Sequence, residues 1–148
     1  MSLVLCQLAG VLGSFFTSPA IPTWYKTLKK PFFTPPDWIF GPVWISLFIL
    51  IGISLFMIWR RQDRPRFKLT LVFFLIQLIL NILWSVAFFG LRSPLLGLVD
   101  IVLLWVAILL MIQYFLKVSR MAGFLLLPYL LWVGFAALLN FYLWILNR

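Results

Sequence analysis

The sequence contains no histidine and no glutamate, and its acidic residues are Asp37, Asp63 and Asp100. Without histidine, most histidine-based catalysis is excluded. With so few carboxylates, a metal site built from acidic side chains is excluded as well. One cysteine, Cys6, excludes a disulfide bond within the chain and a CxxC motif. We therefore expect no metal site and no cofactor.

Charged residues are scarce, and apolar residues take their place. Of the 148 residues, 65% are hydrophobic and 10% are charged, whereas a soluble domain is roughly half apolar. The apolar residues form runs of about 20 residues, the length with which a helix spans a membrane. These runs are continuous rather than alternating, which argues against a membrane β-barrel. The composition predicts an all-α integral membrane protein.

Apolar spans follow one another along a single domain, 1–148. They predict a five-transmembrane-helix bundle with helices at about 3–20, 39–59, 69–90, 95–116 and 121–146. The first span has the length of a signal peptide, but no basic residue precedes its apolar stretch. We therefore interpret it as a retained helix.

The loop between the first two spans, 21–38, is unusually long and aromatic. Pro31, Pro35 and Pro36 exclude a helix there and hold the residues before them in extended conformations. Because proline fixes φ, ordering this loop costs less conformational entropy. We interpret the loop as a structured, semi-rigid lid over a pocket between membrane helices. Pro42 fits the first turn of the second helix.

The basic residues lie between the apolar spans and give the chain a net charge of +9. This pattern favours contact with membrane lipids that have anionic headgroups over nucleic acid, because a nucleic-acid face also needs a soluble domain to present it. Short basic loops stay in the cytoplasm. The side that holds the 2–3 and 4–5 loops carries seven basic residues and the other side five. We therefore expect the N-terminus inside and the lid outside.

Three spans carry stripes in which aromatic residues mix with small or amide side chains at helical spacing. The stripes are Phe40, Trp44 and Phe48 with Val43, Leu47 and Ile51 offset by one; Gln77, Asn81, Trp84 and Phe88; and Trp132, Phe135, Ala136, Leu139 and Asn140. One such stripe is more often core or lipid contact than a ligand site. Amide side chains in a membrane need hydrogen-bond partners, however, so we expect Gln77, Asn81 and Asn140 to face inward.

Asp100 lies inside the fourth span with no basic residue near it in the sequence. A charged carboxylate near the centre of a bilayer costs on the order of 3 kcal/mol or more, and less nearer the helix end. Two interpretations stay open. The carboxyl group forms a hydrogen bond between helices, or it is a polar anchor in the wall of a ligand pocket.

Together these features resemble the family of the tryptophan-rich sensory protein and the translocator protein, formerly the peripheral benzodiazepine receptor. The motifs that carry the resemblance are Trp24-Tyr25-x-x-Leu28-x-Lys30-Pro31-x-x-x-Pro35-Pro36-x-Trp38-x-Phe40-Gly41-Pro42-Val43-Trp44, Asn81-x-x-Trp84-Ser85-x-x-Phe88-Phe89-Gly90, and Pro128-Tyr129-Leu130-x-Trp132-x-x-Phe135-Ala136-x-x-Leu139-Asn140. They cover nearly the whole chain in the expected order. Asp100 also falls where the family carries an aspartate in its fourth helix.

The resemblance implies a homodimer of five-helix bundles with a pocket beneath the first loop. Family members bind porphyrins, cholesterol and synthetic benzodiazepine-type ligands. Carried over by motif, the ligand contacts are Ser14, Thr17, Trp24, Phe40, Val43, Trp44, Phe48, Asn81, Trp84, Phe89, Leu96, Val99, Asp100, Leu103, Trp132, Ala136, Leu139 and Asn140. Trp44 and Trp132 match the tryptophans that the family links to light-dependent porphyrin breakdown, so the resemblance implies a catalytic role for them.

The end of the chain satisfies a loose cholesterol-binding pattern through Leu139, Tyr142 and Arg148. The pattern is weak, and an interfacial belt of aromatic and basic residues explains the same side chains. Animal members carry an arginine where this chain has Ile145, and Phe141 replaces the first tyrosine of their pair. These departures favour a bacterial-type member that acts on tetrapyrroles. We expect it in the bacterial cell membrane, with an outer or organellar membrane as the alternative.

Three hypotheses of function stay open. The first is a membrane receptor, or a transporter-like protein, for porphyrins and related apolar ligands, with Lys29, Lys30 and Arg92 near the propionates. No histidine or cysteine is placed to bind haem iron, so the expected ligand is a free-base porphyrin. The second is an enzyme that degrades protoporphyrin with light and oxygen. The third is a stress-linked membrane scaffold that a ligand regulates.

Overall fold

A computed structural model describes residue 28, residues 37–61 and residues 67–147 of the chain. Within these ranges the chain is helical apart from short turns and contains no β-strand. Outside the described residues lie the predicted span 3–20, the predicted contacts Ser14, Thr17 and Trp24, the connection 62–66 and Arg148.

The described helices cover the second to fifth predicted spans. They are α1 (Asp37–Trp59), α2 (Phe67–Ser85) with a π-helical turn (Val86–Gly90) after it, α3 (Pro94–Val118), α4 (Arg120–Leu125) and α5 (Leu127–Asn147). Four stretches within them are long and apolar enough to cross a membrane, namely Pro42–Trp59, Phe67–Gly90, Pro94–Val118 and Arg120–Asn147.

Two serines set the turns at the ends of α3. The hydroxyl oxygen of Ser93 accepts a hydrogen bond from the backbone N–H of Leu96 over 3.2 Å, which satisfies a donor that the helix leaves free. At the other end, the backbone N–H of Ser119 bonds to the last turn of α3, and its hydroxyl oxygen accepts from the N–H of Ala122. Ser119 therefore ends α3 and begins α4.

The structure departs from regular helices at three places. Pro42 lies inside α1, not in its first turn as predicted, because α1 begins earlier than predicted. The π-helical turn after α2 is closed by a 2.8 Å hydrogen bond from the N–H of Leu91 to the carbonyl of Val86. The fifth predicted span is divided at Leu126. Pro128 explains this division, because it has no N–H to donate back into α4.

α3 lies at the centre of the described bundle and packs against α2, α4 and α5, while α1 packs mainly against α4. The inward faces form one apolar core in which Ile51, Ile108 and Phe115 are fully buried. Ser54 ties α1 to α4 by donating a 2.9 Å hydrogen bond to the carbonyl of Ala122. The outward faces carry exposed apolar side chains, as expected of helices that face lipid.

Candidate functional site

A chain of hydrogen bonds joins α2 to α5 through the hydroxyl group of Tyr129. Asn81 donates from Nδ2 to Tyr129 Oη over 2.6 Å, and that hydroxyl donates to Oε1 of Gln77 over 2.9 Å. All three side chains are buried. Because a buried polar group without a partner is costly, these bonds fix the faces that α2 and α5 turn towards each other. The prediction that Gln77 and Asn81 face inward is confirmed.

Trp44 of α1 packs against Tyr129. Its ring meets the ring of Tyr129 nearly edge-on, with centroids 6.5 Å apart and planes at 74°, and lies 5.9 Å from the ring of Phe48. Phe48 is buried, and Trp44 is partly buried. Three helices therefore meet where Trp44, Asn81 and Tyr129 combine aromatic faces with an amide group.

Asn140 holds α2, α3 and α5 together. Its Oδ1 accepts the indole N–H of Trp84 over 3.0 Å, and its Nδ2 donates to the carbonyl of Pro94 over 2.7 Å. Gly97 makes room for this contact, since a Cβ atom there would lie 2.8 Å from Phe88 Cδ2 and 3.0 Å from Asn140 Oδ1. Asn140 faces inward as predicted. Its amide group and the indole N–H of Trp84 are both engaged with protein groups.

An aromatic cluster surrounds Trp84. Its ring stacks on Phe88 with centroids 5.2 Å apart and meets Phe89 edge-on at 5.6 Å. Leu139 of α5 packs into this cluster, and Leu28 packs against it from outside the helices. Leu28 belongs to the predicted lid, so the described part of the lid contacts the cluster.

The Trp84 cluster and Asn140 lie towards one end of the bundle. Trp59 at the end of α1 meets Phe67 at the start of α2, and Asn140 in the second half of α5 meets Pro94 at the start of α3. Neighbouring helices in the chain are therefore antiparallel. The start of α1, the π-helical turn, the start of α3 and the end of α5 share one end, which also holds Leu28 and which we call the lid end.

Asp100 lies one turn of α3 beyond Gly97 and is 9% exposed. Its Oδ2 atom has no hydrogen-bond partner among the described residues. Within the described bundle, this oxygen forms no hydrogen bond to another helix. Both interpretations of Asp100 therefore stay open.

The remaining predicted contacts fall into two groups. Those that are buried or partly buried are Val43, Phe89, Trp132, Ala136 and Leu139. In contrast, Leu96, Val99 and Leu103 are 48%, 53% and 54% exposed on the outward face of α3. The described structure does not bring these three side chains to Trp44 and Asn81. Phe40 belongs to α1, but its side chain lies outside the described part of the structure.

Trp132 follows Tyr129 by one turn of α5 and lies against the ring of Phe135, with centroids 5.6 Å apart. Of the cholesterol-like pattern, Leu139 is buried in the bundle at 4% exposed, whereas Tyr142 is 39% exposed. The third member, Arg148, lies outside the described residues.

Tyr129, Gly97 and Phe88 are positioning residues that were not among the predicted contacts. A signal for Tyr129 is present, because it extends the stripe of Trp132 and Ala136 by one turn and puts a hydroxyl group into an apolar span. Gly97 is a small residue in an apolar helix, which is typical of close helix packing in membranes. Phe88 follows Trp84 by four residues in the second stripe, so the contact between the two rings has a sequence signal.

The chain matches known proteins along nearly its whole length. The profile of the TspO/MBR family matches residues 2–145. The chain belongs to the TspO/MBR family. It is 50% identical to the tryptophan-rich protein TspO of Archaeoglobus fulgidus over 147 residues, which are 97% of this chain and 94% of that protein.

More distant TspO/MBR relatives match over most of their length. The chain is 35% identical to the translocator protein of Bos taurus over 143 residues, which are 95% of this chain and 85% of that protein. It is 32% identical to the tryptophan-rich sensory protein of Cereibacter sphaeroides over 118 residues, 80% of this chain and 73% of that protein. The resemblance found in the sequence is confirmed. Family membership and the membrane-capable helices together identify an integral membrane protein.

Proposed function

We propose that this TspO/MBR protein is a membrane receptor or sensor, or a transporter-like protein, that binds porphyrins and related apolar, planar tetrapyrroles. The meeting of Trp44, Asn81 and Tyr129 carries the proposal, because it joins aromatic faces and amide groups from three helices. A porphyrin needs apolar, aromatic surface for its ring and a few polar groups that fix its orientation. The sensory and translocator names of the relatives support the same class of function.

The complete site has five helices and a structured lid. In this proposal the helix 3–20 supplies Ser14 and Thr17, and the loop 21–38 supplies Trp24. The packing of Leu28 against the Trp84 cluster supports a lid that closes the site from this end. The pocket then lies under the lid, between α1, α2 and α5.

The rim of the site is basic. Arg92 is exposed at the lid end, and its φ of 52° turns the chain sharply between the π-helical turn and α3. Lys29 and Lys30 follow Leu28 directly in the sequence. We propose that these cations pair with the propionate groups, since carboxylates form their strongest hydrogen bonds with such donors. The sequence has no histidine to bind haem iron, so the proposed ligand is a free-base porphyrin.

We further propose a homodimer in a bacterial cell membrane, with the lid on the outside. The larger number of basic residues on the opposite side supports this orientation. Cysteine-directed labelling from outside intact cells tests it, with a single cysteine introduced at position 29 or 61 of a Cys6→Ser variant. Labelling at 61 and not at 29 would contradict the orientation.

One observation favours the photo-oxidative alternative. Trp44 contacts Tyr129, so an oxidisable phenol lies beside the tryptophan that the resemblance links to porphyrin breakdown. In that reaction oxygen activated by the illuminated porphyrin is the oxidant, the porphyrin is what is oxidised, and the two tryptophans act as redox partners. Loss of product without oxygen and in the Trp44→Phe/Trp132→Phe double variant is expected. Unchanged product in either case would rule out this role.

Titration of the purified protein with protoporphyrin tests binding itself. We expect saturable quenching of tryptophan fluorescence and a shift of the porphyrin absorption band. N-acetyltryptophanamide at the same absorbance is the control for optical filtering. Quenching no greater than in this control, with no shift of the band, would contradict the proposal.

A further inference from the structure

The end of the bundle opposite the lid carries a ring of exposed cations. They are Arg60, Arg61, Lys68, Lys117 and Arg120, at the ends or starts of α1, α2, α3 and α4. No aspartate is found among the described residues of this end. Asp100 lies on α3 seventeen residues before Lys117, which is about 25 Å along a helix.

Lys117 lies over an aromatic ring of its own helix, and that ring packs against a second helix. Its Nζ atom lies 5.3 Å from the centroid of the Tyr114 ring. The Tyr114 ring is itself stacked on Phe73 of α2, with centroids 4.8 Å apart and planes at 19°. A cation over an aromatic face is attracted by the ring's quadrupole. Arg60 likewise lies over a ring from the preceding turn of its own segment, Phe56, at 5.9 Å.

Apolar side chains continue the surface from Lys117 towards the membrane interior. Leu69 and Ile76 flank Phe73 on α2, and Leu110 precedes Tyr114 by one turn on α3. All three are exposed. We call the set Leu69, Phe73, Ile76, Leu110, Tyr114 and Lys117 the Lys117 surface. The Lys117 surface consists of the stacked rings of Phe73 and Tyr114, three exposed apolar side chains and one cation at the end of α3.

We propose that the Lys117 surface is a binding site for one anionic phospholipid, whose phosphate pairs with Lys117 and whose acyl chain lies along Leu69, Ile76 and Leu110. Charge complementarity carries the assignment, since within the described residues no carboxylate pairs with Lys117. Basic sites between membrane helices bind anionic headgroups in this way. A free phosphate ion would satisfy the cation but leave the apolar side chains uncovered, so the occupant is a lipid.

Native mass spectrometry of the whole protein in neutral detergent tests this site. The probes are phosphatidylglycerol and phosphatidylcholine with the same acyl chains. We expect the wild-type protein to bind phosphatidylglycerol more tightly, and Lys117→Gln to lower that affinity about fivefold while leaving phosphatidylcholine binding unchanged, as one surface cation contributes about this much. Lys117→Arg keeps the charge and retains the affinity. An unchanged affinity for phosphatidylglycerol in Lys117→Gln would overturn the proposal.

Two matched controls separate a site from a diffuse charge effect. Arg120→Gln removes an exposed cation at the same end that is not part of the Lys117 surface, and we expect less than about a twofold change. Tyr114→Leu removes the ring beneath Lys117 and lowers the affinity, whereas Tyr114→Phe retains it. A loss in Arg120→Gln equal to that in Lys117→Gln, or full displacement of the lipid by millimolar inorganic phosphate, would contradict a lipid site.

Discussion

Asn81 of α2 donates a 2.6 Å hydrogen bond to the hydroxyl group of Tyr129 on α5. The ring of Tyr129 in turn meets the ring of Trp44 on α1. One tyrosine therefore positions two of the proposed ligand contacts, one through its hydroxyl group and one through its ring. A residue that lies in no predicted contact set thus determines the geometry of the site.

Replacing Tyr129 with phenylalanine keeps the ring and removes the hydroxyl group. Asn81 and Gln77 then lose their shared partner, so the free energy of unfolding is expected to fall by about 1–2 kcal/mol. Affinity for protoporphyrin is expected to fall as well. Unfolding by SDS in mixed micelles measures the first effect. Tyr114→Phe is the control and is expected to change stability by less than about 0.5 kcal/mol. Equal stability of the two variants would contradict the hydrogen-bonded chain.

A methyl group at position 97 is expected to disrupt the contact between α2, α3 and α5. In Gly97→Ala the new Cβ atom would lie 2.8 Å from Phe88 Cδ2, and overpacking of this kind costs about 1–3 kcal/mol. Gly134→Ala is the matched control, because its Cβ atom would meet its nearest neighbour, Trp105 Nε1, at 3.2 Å. Adding Phe88→Leu to Gly97→Ala should restore part of the stability. If the double variant recovers no stability, the loss in Gly97→Ala does not come from the contact with Phe88.

Asp100→Asn distinguishes the two interpretations of the buried carboxyl group. If Asp100 serves a ligand, the neutral amide leaves the free energy of unfolding unchanged or raises it, because a carboxylate in a membrane helix is costly. Affinity for protoporphyrin then falls about fivefold, the scale of one lost charge-assisted hydrogen bond. The two measurements are thermal unfolding and porphyrin titration. Lower stability with unchanged affinity would show instead that Asp100 links helices.

The inward faces of the helices were predictable because amide groups in lipid need partners. Gln77, Asn81 and Asn140 all face inward for that reason. Their partners were not predictable, since the phenol of Tyr129 and the carbonyl of Pro94 become partners only through the packing of α2, α3 and α5. Matching positions to a family likewise says nothing about side-chain direction, and Leu96 and Val99 lie on the outward face of α3.

Local breaks in the helices were harder to predict than the helices themselves. Apolar composition identifies a span whether or not its backbone is regular. The division at Leu126 follows from Pro128, which was visible as a proline near the start of the last span. The π-helical turn at Val86–Gly90 adds one residue to a turn and leaves no mark in the hydrophobic pattern.

The affinity of tryptophan variants for protoporphyrin is the most direct test of the proposed site. We expect Trp44→Ala and Trp132→Ala each to weaken binding about tenfold, measured by the shift of the porphyrin absorption band, because each removes an aromatic face. Trp59→Ala is the matched control, since Trp59 is 52% exposed at the end away from the lid. The account predicts wild-type affinity for that control. Equal affinity of all three variants, or a loss confined to Trp59→Ala, would contradict a porphyrin site at Trp44 and Trp132.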